Sequence, residues 1–218
     1  MALLNDQIQL QIKQSLADLS RPVKIRLSFD PDGCEMCDET RTLVEELVEL
    51  HDLISLEILM EHDDELPEEF KQAAAIKLLA KDEKDGWIDY GVAFYGIPSG
   101  YELTSLVEAI RLVSGGDSQL QETTREALAQ IDTDIDIHVY VTPTCPSCPR
   151  AVVLAHQMAM ENPHLRAAMV EAMEFPDASQ QRGVYSVPHA IINDLIDVIG
   201  TVPEPRLLNE VQRAAMAA

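Results

Sequence analysis

The chain has 218 residues, and 46% of them are hydrophobic, so it can form one large domain or two small ones around real cores. Its formal net charge of −22 repels phosphate backbones and argues against nucleic-acid binding. No apolar run reaches the ~18 residues of a membrane span, and the polar N-terminal stretch lacks the pattern of a signal peptide. We therefore expect a cytoplasmic protein that binds neither membranes nor nucleic acids.

The first half of the chain predicts a helix, a strand, a second helix and a second strand. Helical spacing of apolar residues alternates with the period-two pattern of strands. The four elements occupy residues 6–19, 22–30, 38–51 and 53–59. Pro31, Asp32 and Gly33 predict a turn between the first strand and a Cys-x-x-Cys pair formed by Cys34 and Cys37.

The second half of the chain repeats this order of elements. Its helix, strand, helix and strand are predicted over residues 122–131, 135–141, 148–160 and 165–172. A second pair, Cys145 and Cys148, stands at the same place, between a strand and a helix. Because the order of elements and the place of the cysteines both recur, we infer an internal duplication.

The boundary between the two copies is predicted near the middle of the chain. A helix expected over 100–116 ends at Gly115-Gly116, because these glycines break the helical spacing, and a polar linker follows over 114–123. We therefore expect a first unit at 1–115 and a second unit at 116–218.

A cysteine at the start of a helix is suited to thiol chemistry. The unpaired N–H groups and the positive end of the helix dipole favour a thiolate over a thiol. We predict that the first cysteine of each pair, Cys145 or Cys34, is the nucleophile at the helix start. The second, Cys148 or Cys37, is expected one turn into the helix, shielded and able to resolve a mixed disulfide.

Two other interpretations of the cysteines remain open. Two Cys-x-x-Cys pairs are able to form a four-cysteine zinc site in a module without enzymatic activity. Such pairs usually stand ~15–20 residues apart, whereas these pairs stand about half a chain length apart. A purely structural disulfide is also conceivable, although neither pair would join distant elements.

A proline in the second half is a further candidate site residue. Pro188 follows Val187 just before the apolar strand in segment 183–193. A proline that starts a strand beside a cysteine site is a candidate for a cis peptide bond, and the preceding Cys-Pro-Ser-Cys helix favours the cis form over a trans proline at a sheet edge. We expect the backbone of Val187 to pair with a strand of the substrate beside Pro188.

The chain resembles the protein disulfide oxidoreductases, a glutaredoxin-like family with tandem thioredoxin folds. The resemblance extends over nearly the whole chain and is carried by the order strand, Cys-Pro-x-Cys, helix and Val-Pro before a strand. Segments 94–102, 141–152 and 155–162 look like characteristic segments of that family. The resemblance implies an α/β protein of two thioredoxin-like units, each a central mixed sheet with helices on both faces.

The same resemblance implies an activity in cell redox homeostasis. The family reduces, forms or isomerises disulfides of protein substrates without a cofactor, and exchanges electrons with a flavoprotein of the thioredoxin-reductase type. The residues that it implies to be redox-active are Cys34, Cys37, Cys145 and Cys148, and it makes Pro188 the cis proline of the second unit.

A second family is similar enough to supply an alternative. The N-terminal domain of the alkyl hydroperoxide reductase flavoprotein also has tandem thioredoxin folds, a segment resembling 100–110 and similar Cys-Pro-rich segments. That resemblance implies a redox relay that passes electrons to a peroxiredoxin. The relay domain retains one cysteine pair, whereas this chain has two.

The two pairs differ in their neighbours along the sequence. Pro146 and Ser147 separate the cysteines of the second pair, and Arg150 follows; these neighbours favour a thiolate at Cys145. The carboxylates that surround the first pair oppose a thiolate at Cys34, and they are Asp32, Glu35, Asp38 and Glu39. Region 68–87 also contains no proline. We therefore predict that the second unit dominates, against the alternative of two equivalent sites.

Overall fold

The computed structural model describes residues 3–30, 34–62, 66–84 and 86–217. The turn predicted at 31–33 and the carboxylate of Asp32 therefore lie outside the described residues, as do residues 1, 2 and 218 at the ends of the two predicted units. The strands are β1 (Val23–Ser28), β2 (Ile54–Leu59), β3 (Ala75–Lys81), β4 (Trp87–Tyr95), β5 (Ile135–Val141), β6 (Leu165–Glu171), β7 (His189–Ile192) and β8 (Ile196–Ile199).

Seven α-helices and one 3-10 helix accompany these strands in the described part of the chain. The α-helices are α1 (Asp6–Ser15), α2 (Cys37–Val48), α3 (Glu102–Gly115), α4 (Glu122–Leu128), α5 (Cys148–Ala159), α6 (Pro176–Gln181) and α7 (Glu204–Ala217). The 3-10 helix is Glu68–Phe70. Each helix and strand predicted from the hydrophobic pattern is present within a few residues of its expected position.

The same pairing of strands occurs twice, as the predicted duplication requires. β1 lies parallel to β2 and antiparallel to β3, which is antiparallel to β4. In the second half, β5 lies parallel to β6 and antiparallel to β7, which is antiparallel to β8. The predicted class, a mixed α/β sheet flanked by helices, is confirmed.

The two sheets join into one, which the sequence did not predict. β4 pairs in parallel with β6 from Val92↔Ala167 to Tyr95↔Val170, giving the order β2-β1-β3-β4-β6-β5-β7-β8. This pairing satisfies backbone groups that two separate sheets would leave open at their edges. Gly91 permits the close approach, since a Cβ there would lie 2.5 Å from the carbonyl oxygen of Leu165. A division of the chain at residue 115 remains a prediction.

Helices cover the two faces of the sheet unequally. The longer helices pack their apolar residues on one face, where Ile25 and Ile137 lie in the main core with Leu106 and Val152. The 3-10 helix and α6 cover the other face, where Phe70 contributes to a smaller cluster. We expected helices on both faces of each unit; on the second face, short helical segments suffice because this core is small.

An ionic contact joins the two halves on that second face. Arg182, at the end of α6, lies 2.7 Å from both Glu69 and Asp194. Phe70 packs edge-on against Phe175 with ring centroids 5.2 Å apart. Because Glu69 and Phe70 come from the first half and the other residues from the second, these contacts stabilise the junction.

No helix in the described ranges is long and apolar enough to cross a bilayer.

Candidate active sites

Each Cys-x-x-Cys pair forms a disulfide at the junction of a strand and a helix. Cys34 is bonded to Cys37, and Cys145 to Cys148, with Cα atoms 5.5 Å apart in both pairs. All four sulfurs are therefore engaged in two separate pairs, which is not the arrangement of a four-cysteine zinc site. Across the ranges that the structure describes, no group of three or more His, Cys, Asp or Glu side chains is arranged to hold a metal ion.

The helices begin at the second cysteine, so the prediction that the first cysteine starts the helix was wrong. α2 begins at Cys37 and α5 begins at Cys148. The residues before Cys148 form a turn that is closed by the N–H of Cys145 donating to the carbonyl of Thr142 at 3.1 Å. Pro149 favours a helix start at this point, because a proline in the first turn needs no N–H partner there.

The second cysteine of each pair is shielded, as predicted. Cys37 is 3% exposed and Cys148 is completely buried. The first cysteines differ, because Cys34 is partly exposed whereas Cys145 is only 8% exposed. If accessibility to the substrate alone decided, Cys34 would therefore react with a substrate disulfide more readily than Cys145.

In unit 2, a hydroxyl group lies near the disulfide. The hydroxyl oxygen of Ser147 lies 3.7 Å from the sulfur of Cys145, within hydrogen-bonding reach of sulfur. Thr201 donates to the carbonyl of Ser147 at 3.1 Å and fixes the turn. The first turn of α5 carries no carboxylate and does carry Arg150. The sequence had suggested only a neutral spacer at Ser147; the signal available was a hydroxyl two residues after a cysteine.

Unit 1 surrounds its disulfide with carboxylates. Asp38 and Glu39 lie in the first turn of α2, and Glu35 is exposed between the two cysteines. Met36 occupies the place that Ser147 has in unit 2, and a methionine has no hydroxyl to donate to a thiolate. These observations agree with the charge difference that the sequence predicts.

The predicted proline lies beside the disulfide of unit 2. The Val187–Pro188 peptide bond is cis. Gly200 donates its N–H to the carbonyl of Pro188 at 2.8 Å, and the next residue, Thr201, binds the turn that follows Cys145. Two adjacent residues thus connect the proline loop to the cysteine turn.

Unit 1 has an alanine at the equivalent position. Gly96 donates its N–H to the carbonyl of Ala74 at 2.8 Å, as Gly200 does to Pro188. Ala74 directly precedes β3, just as Pro188 directly precedes β7. The prediction that unit 1 lacks this proline is therefore confirmed, and Ala73 corresponds to Val187.

A buried glutamate near unit 2 was missed by the sequence reasoning. Glu102 is 1% exposed, and burial raises the pKa of its carboxyl to about 7, although a hydrogen bond from Ser105 opposes this shift. Its Oε1 atom has no hydrogen-bond partner among the described residues. The neighbouring Tyr101 donates its N–H to the carbonyl of Pro143 at 3.0 Å, which places the start of α3 against the cysteine turn. The available signal in the sequence was the spacing of Glu102 and Ser105, because side chains three residues apart on a helix are neighbours and can form a hydrogen bond.

The second half matches a known family directly. Residues 135–213 match the thioredoxin domain family. This region begins with β5, contains the Cys145–Cys148 disulfide and Pro188, and extends into α7.

Curated relatives resemble the chain over most of its length. The chain is 30% identical to the alkyl hydroperoxide reductase AhpF from Xanthomonas campestris pv. phaseoli over 193 residues, covering 88% of this chain and 33% of the relative. The chain thus spans about a third of the length of that relative.

Solved structures match both halves together. A protein disulfide oxidoreductase from Aeropyrum pernix superposes with a TM-score of 0.86 at 31% identity, covering 98% of this chain and 94% of the other. The NTD_N/C domain of alkyl hydroperoxide reductase AhpF from Enterococcus faecalis superposes with a TM-score of 0.82 at 23% identity, covering 95% and 99%. The second likeness supports the fold alone.

Proposed function

From the premise that this chain belongs to the protein disulfide oxidoreductase family, we propose that it exchanges thiols and disulfides with protein substrates through two Cys-x-x-Cys pairs. The observation that carries the proposal is the buried second cysteine at the first residue of a helix in both pairs. A sulfur held there is protected from solvent and is bonded to the sulfur of the first cysteine, which is partly exposed in unit 1 and 8% exposed in unit 2. No cofactor is needed for this exchange.

The reaction in unit 2 starts from the reduced pair. The thiolate of Cys145 attacks one sulfur of a substrate disulfide, that bond breaks, and the other substrate sulfur leaves as a thiolate that takes up a proton. Cys148 then attacks the sulfur of Cys145, so that the second substrate sulfur is released and the pair becomes a disulfide. Two electrons pass from the pair to the substrate, and the reverse sequence inserts or rearranges a disulfide.

Glu102 is proposed to accept the proton of Cys148. Cys148 is completely buried, so its thiol proton cannot pass directly to water. Glu102 begins α3, which packs against α5 beside the cysteine turn, and its pKa of about 7 suits proton transfer near neutral pH. Its unpartnered Oε1 atom is able to receive the proton.

The loop before β7 is proposed to hold the substrate. Val187 precedes the strand at the mouth of unit 2, and its backbone groups are suited to pair with an extended substrate segment. Pro188 lies between this residue and β7 and is tied to the cysteine turn through Gly200 and Thr201. The segment would thus be aligned with Cys145.

We assign most of the substrate chemistry to unit 2 and an auxiliary role to unit 1. Ser147 and Arg150 favour the thiolate of Cys145, while Glu35, Asp38 and Glu39 oppose that of Cys34. Unit 1 would pass electrons onward or store them. A flavoprotein of the thioredoxin-reductase type is the proposed electron partner.

The test of the activity is reduction of an unrelated protein disulfide. Purified protein supplied with dithiothreitol should reduce insulin, whereas a variant with all four cysteines replaced by serine should not. Stoichiometric zinc, lost together with folding on treatment with a chelator, would contradict the redox assignment. Absence of insulin reduction would contradict a general oxidoreductase.

A redox relay is the second candidate, and the similarity to the alkyl hydroperoxide reductase AhpF favours it. In a relay, the pairs would pass electrons to one peroxiredoxin. Strict dependence on a peroxiredoxin, with no reduction of insulin, would support this candidate over general exchange.

A further inference from the structure

A groove runs between the two cysteine turns and is formed by both halves of the chain. It encloses about 540 Å³. Unit 1 contributes Glu35 and Met36, which lie between its two cysteines, and Ala73, the counterpart of Val187. The opposite wall includes Pro143, two residues before Cys145, and the segment after β6. We call this the interunit groove.

Two carboxylates of the interunit groove are held in place by backbone groups. Glu171 is 3% exposed, and its Oε2 atom accepts a hydrogen bond from the N–H of Glu174 at 2.8 Å. The Oε1 atom of Glu174 accepts from the N–H of Ile97 at 2.6 Å. A side chain at Gly96 would collide with this carboxylate, since a Cβ there would lie 2.5 Å from Oε1 of Glu174. The loop after β4 is therefore shaped around the two acids.

The interunit groove lacks a donor for one of these oxygens. Oε1 of Glu171 has no hydrogen-bond partner among the described residues, although it is buried. An unpaired buried acceptor destabilises a protein unless a ligand supplies a donor. The unpaired oxygen therefore indicates a site for a group that donates hydrogen bonds.

The charged residues that line the groove are all acidic. Its described lining contains Glu35, Glu171 and Glu174 and no lysine, arginine or histidine. Burial raises the pKa of Glu174 to about 7, against the hydrogen bond from Ile97, and the negative charges of Glu171 and Glu35 raise it further. Burial likewise raises the pKa of Glu171. A cation in the groove would neutralise this repulsion.

We propose that the interunit groove binds the part of a substrate polypeptide that carries a lysine or arginine near its reacting cysteine, which gives unit 1 a preference for cationic substrates. The proposal rests on the disulfide-exchange function proposed above. Apart from Gln72 and Ser99, the rest of the described lining is apolar, and Met36, Met173 and Pro176 belong to it. They suit the aliphatic stem of a lysine or arginine, whose charged end reaches the carboxylates.

The placement of Ala73 explains how the substrate reaches the groove. A segment that passes over Ala73, which is 2% exposed, would run along the wall of the groove beside Met36. Residues two apart in an extended segment point to the same side. A lysine two residues from the reacting cysteine would therefore follow that cysteine into the groove.

The first measurement is binding without chemistry. Fluorescent peptides in which serine replaces the reacting cysteine carry lysine, glutamine or glutamate two residues away on either side, and fluorescence anisotropy gives their Kd for the oxidised full chain. The lysine peptide should bind about tenfold more tightly than the glutamine peptide at low salt. Glu171→Gln and Glu174→Gln should each reduce this preference to about twofold, whereas Glu49→Gln, an exposed carboxylate at the end of α2, should leave it unchanged.

The second measurement is turnover by unit 1 alone. A Cys145→Ser, Cys148→Ser variant is first reduced with dithiothreitol and freed of the excess reductant, so that its Cys34–Cys37 pair supplies the two electrons for one reaction cycle. The matched peptides carry a cysteine as its mixed disulfide with thionitrobenzoate, and the released thionitrobenzoate is recorded. The lysine peptide should again react about tenfold faster. Its advantage should increase from pH 6 to pH 8, because Glu174, with its pKa of about 7, becomes charged over this range.

The two measurements test the groove proposal and the proposed disulfide-exchange function separately. Equal Kd values for the lysine and glutamine peptides, or a preference that survives Glu171→Gln and Glu174→Gln, would overturn the groove proposal and indicate attraction to the net charge of the chain. Selective binding without turnover of any peptide would support the groove while contradicting the proposed function.

Discussion

The disulfides of α2 and α5 occupy the same place in two copies of one fold, yet their surroundings differ. Both helices begin at a buried cysteine. The residue just before β3, Ala74, and the residue just before β7, Pro188, each accept a hydrogen bond from the N–H of a glycine. The residues between the cysteines differ completely, as do Ala74 and Pro188. The shared features are those that build the strand–helix junction, whereas the divergent ones touch the reacting sulfur or the substrate. Duplication preserved the structural requirements and left reactivity free to diverge.

Accessibility and electrostatics favour opposite units. Cys34 is more exposed than Cys145, but carboxylates surround Cys34, while Ser147 and Arg150 accompany Cys145. A pKa difference of one unit changes the thiolate fraction about tenfold below the pKa. A disulfide in a loop of the substrate that fits around Cys145 would reach this sulfur despite its low exposure. We therefore expect electrostatics to decide, and each prediction below tests that expectation.

The largest effect is expected from removing one nucleophile at a time. Cys145→Ser should lower the rate of insulin reduction at pH 7 about tenfold, because unit 1 has fewer thiolates and no substrate-holding proline. Cys34→Ser should retain more than half of the activity. The melting temperature of each variant controls for folding, and near-equal losses would contradict the asymmetry.

Glu102→Gln should slow the second step of the unit 2 reaction about tenfold. Glu102 accepts a proton only when it is ionised, so the rate at which Cys148 resolves the mixed disulfide should rise with pH through about 7. The glutamine variant should lose this inflection. In a Cys34→Ser background, rapid mixing of the reduced protein with a disulfide substrate forms the mixed disulfide at Cys145, and its decay measures the step.

Glu108→Gln is the matched control for Glu102→Gln. It removes a carboxylate that lies on the same helix and pairs with Arg111. If this variant also lost the inflection, or if Glu102→Gln kept it, Glu102 would not be the proton acceptor.

Exchanging the two residues between the cysteines should change the alkylation rates of Cys34 and Cys145 in opposite directions. Glu35→Pro with Met36→Ser gives the first pair the spacers of the second, removes a carboxylate and adds a hydroxyl. In a Cys145→Ser, Cys148→Ser background, alkylation of Cys34 at pH 7 should become about fivefold faster. Pro146→Glu with Ser147→Met in unit 2 should have the opposite effect. Unchanged rates in both would show that the spacers do not set the difference.

The smallest effect is expected at one hydroxyl. Ser147→Ala removes the group 3.7 Å from the sulfur of Cys145, so alkylation of Cys145 at pH 7 should slow about twofold. Met36→Ala, at the equivalent place in unit 1, should leave alkylation of Cys34 unchanged because methionine has no hydroxyl to lose. A similar change in both variants would point to an effect on packing.

Local patterns in the sequence predicted much of this molecule. The strands and helices follow from apolar spacing, and the absence of a proline in region 68–87 was visible directly, although only the structure identified Ala74 as the equivalent position. The cis bond at Pro188 followed from its place before a strand together with the Cys-Pro-Ser-Cys helix that precedes it. These features depend on residues that are close in the chain.

Features that depend on tertiary packing were not predicted. The pairing of β4 with β6 joins strands from different halves of the chain, and local sequence does not specify which strands of the two halves become neighbours. The burial of Glu102 depends on α3 packing beside the turn of the other unit. The apolar spacing predicted a helix from residue 148, yet the first cysteine was placed at the helix start, because propensity does not fix the first residue with helical dihedral angles to within a few residues.

The pKa values of the two nucleophiles test the dominance of unit 2 most directly. Two variants, each with Cys145 or Cys34 as its only cysteine, would be alkylated with iodoacetamide across a range of pH, and the rates would give each thiol pKa. We predict that the pKa of Cys145 lies below that of Cys34. Equal values, or a lower pKa at Cys34, would contradict the dominance of unit 2.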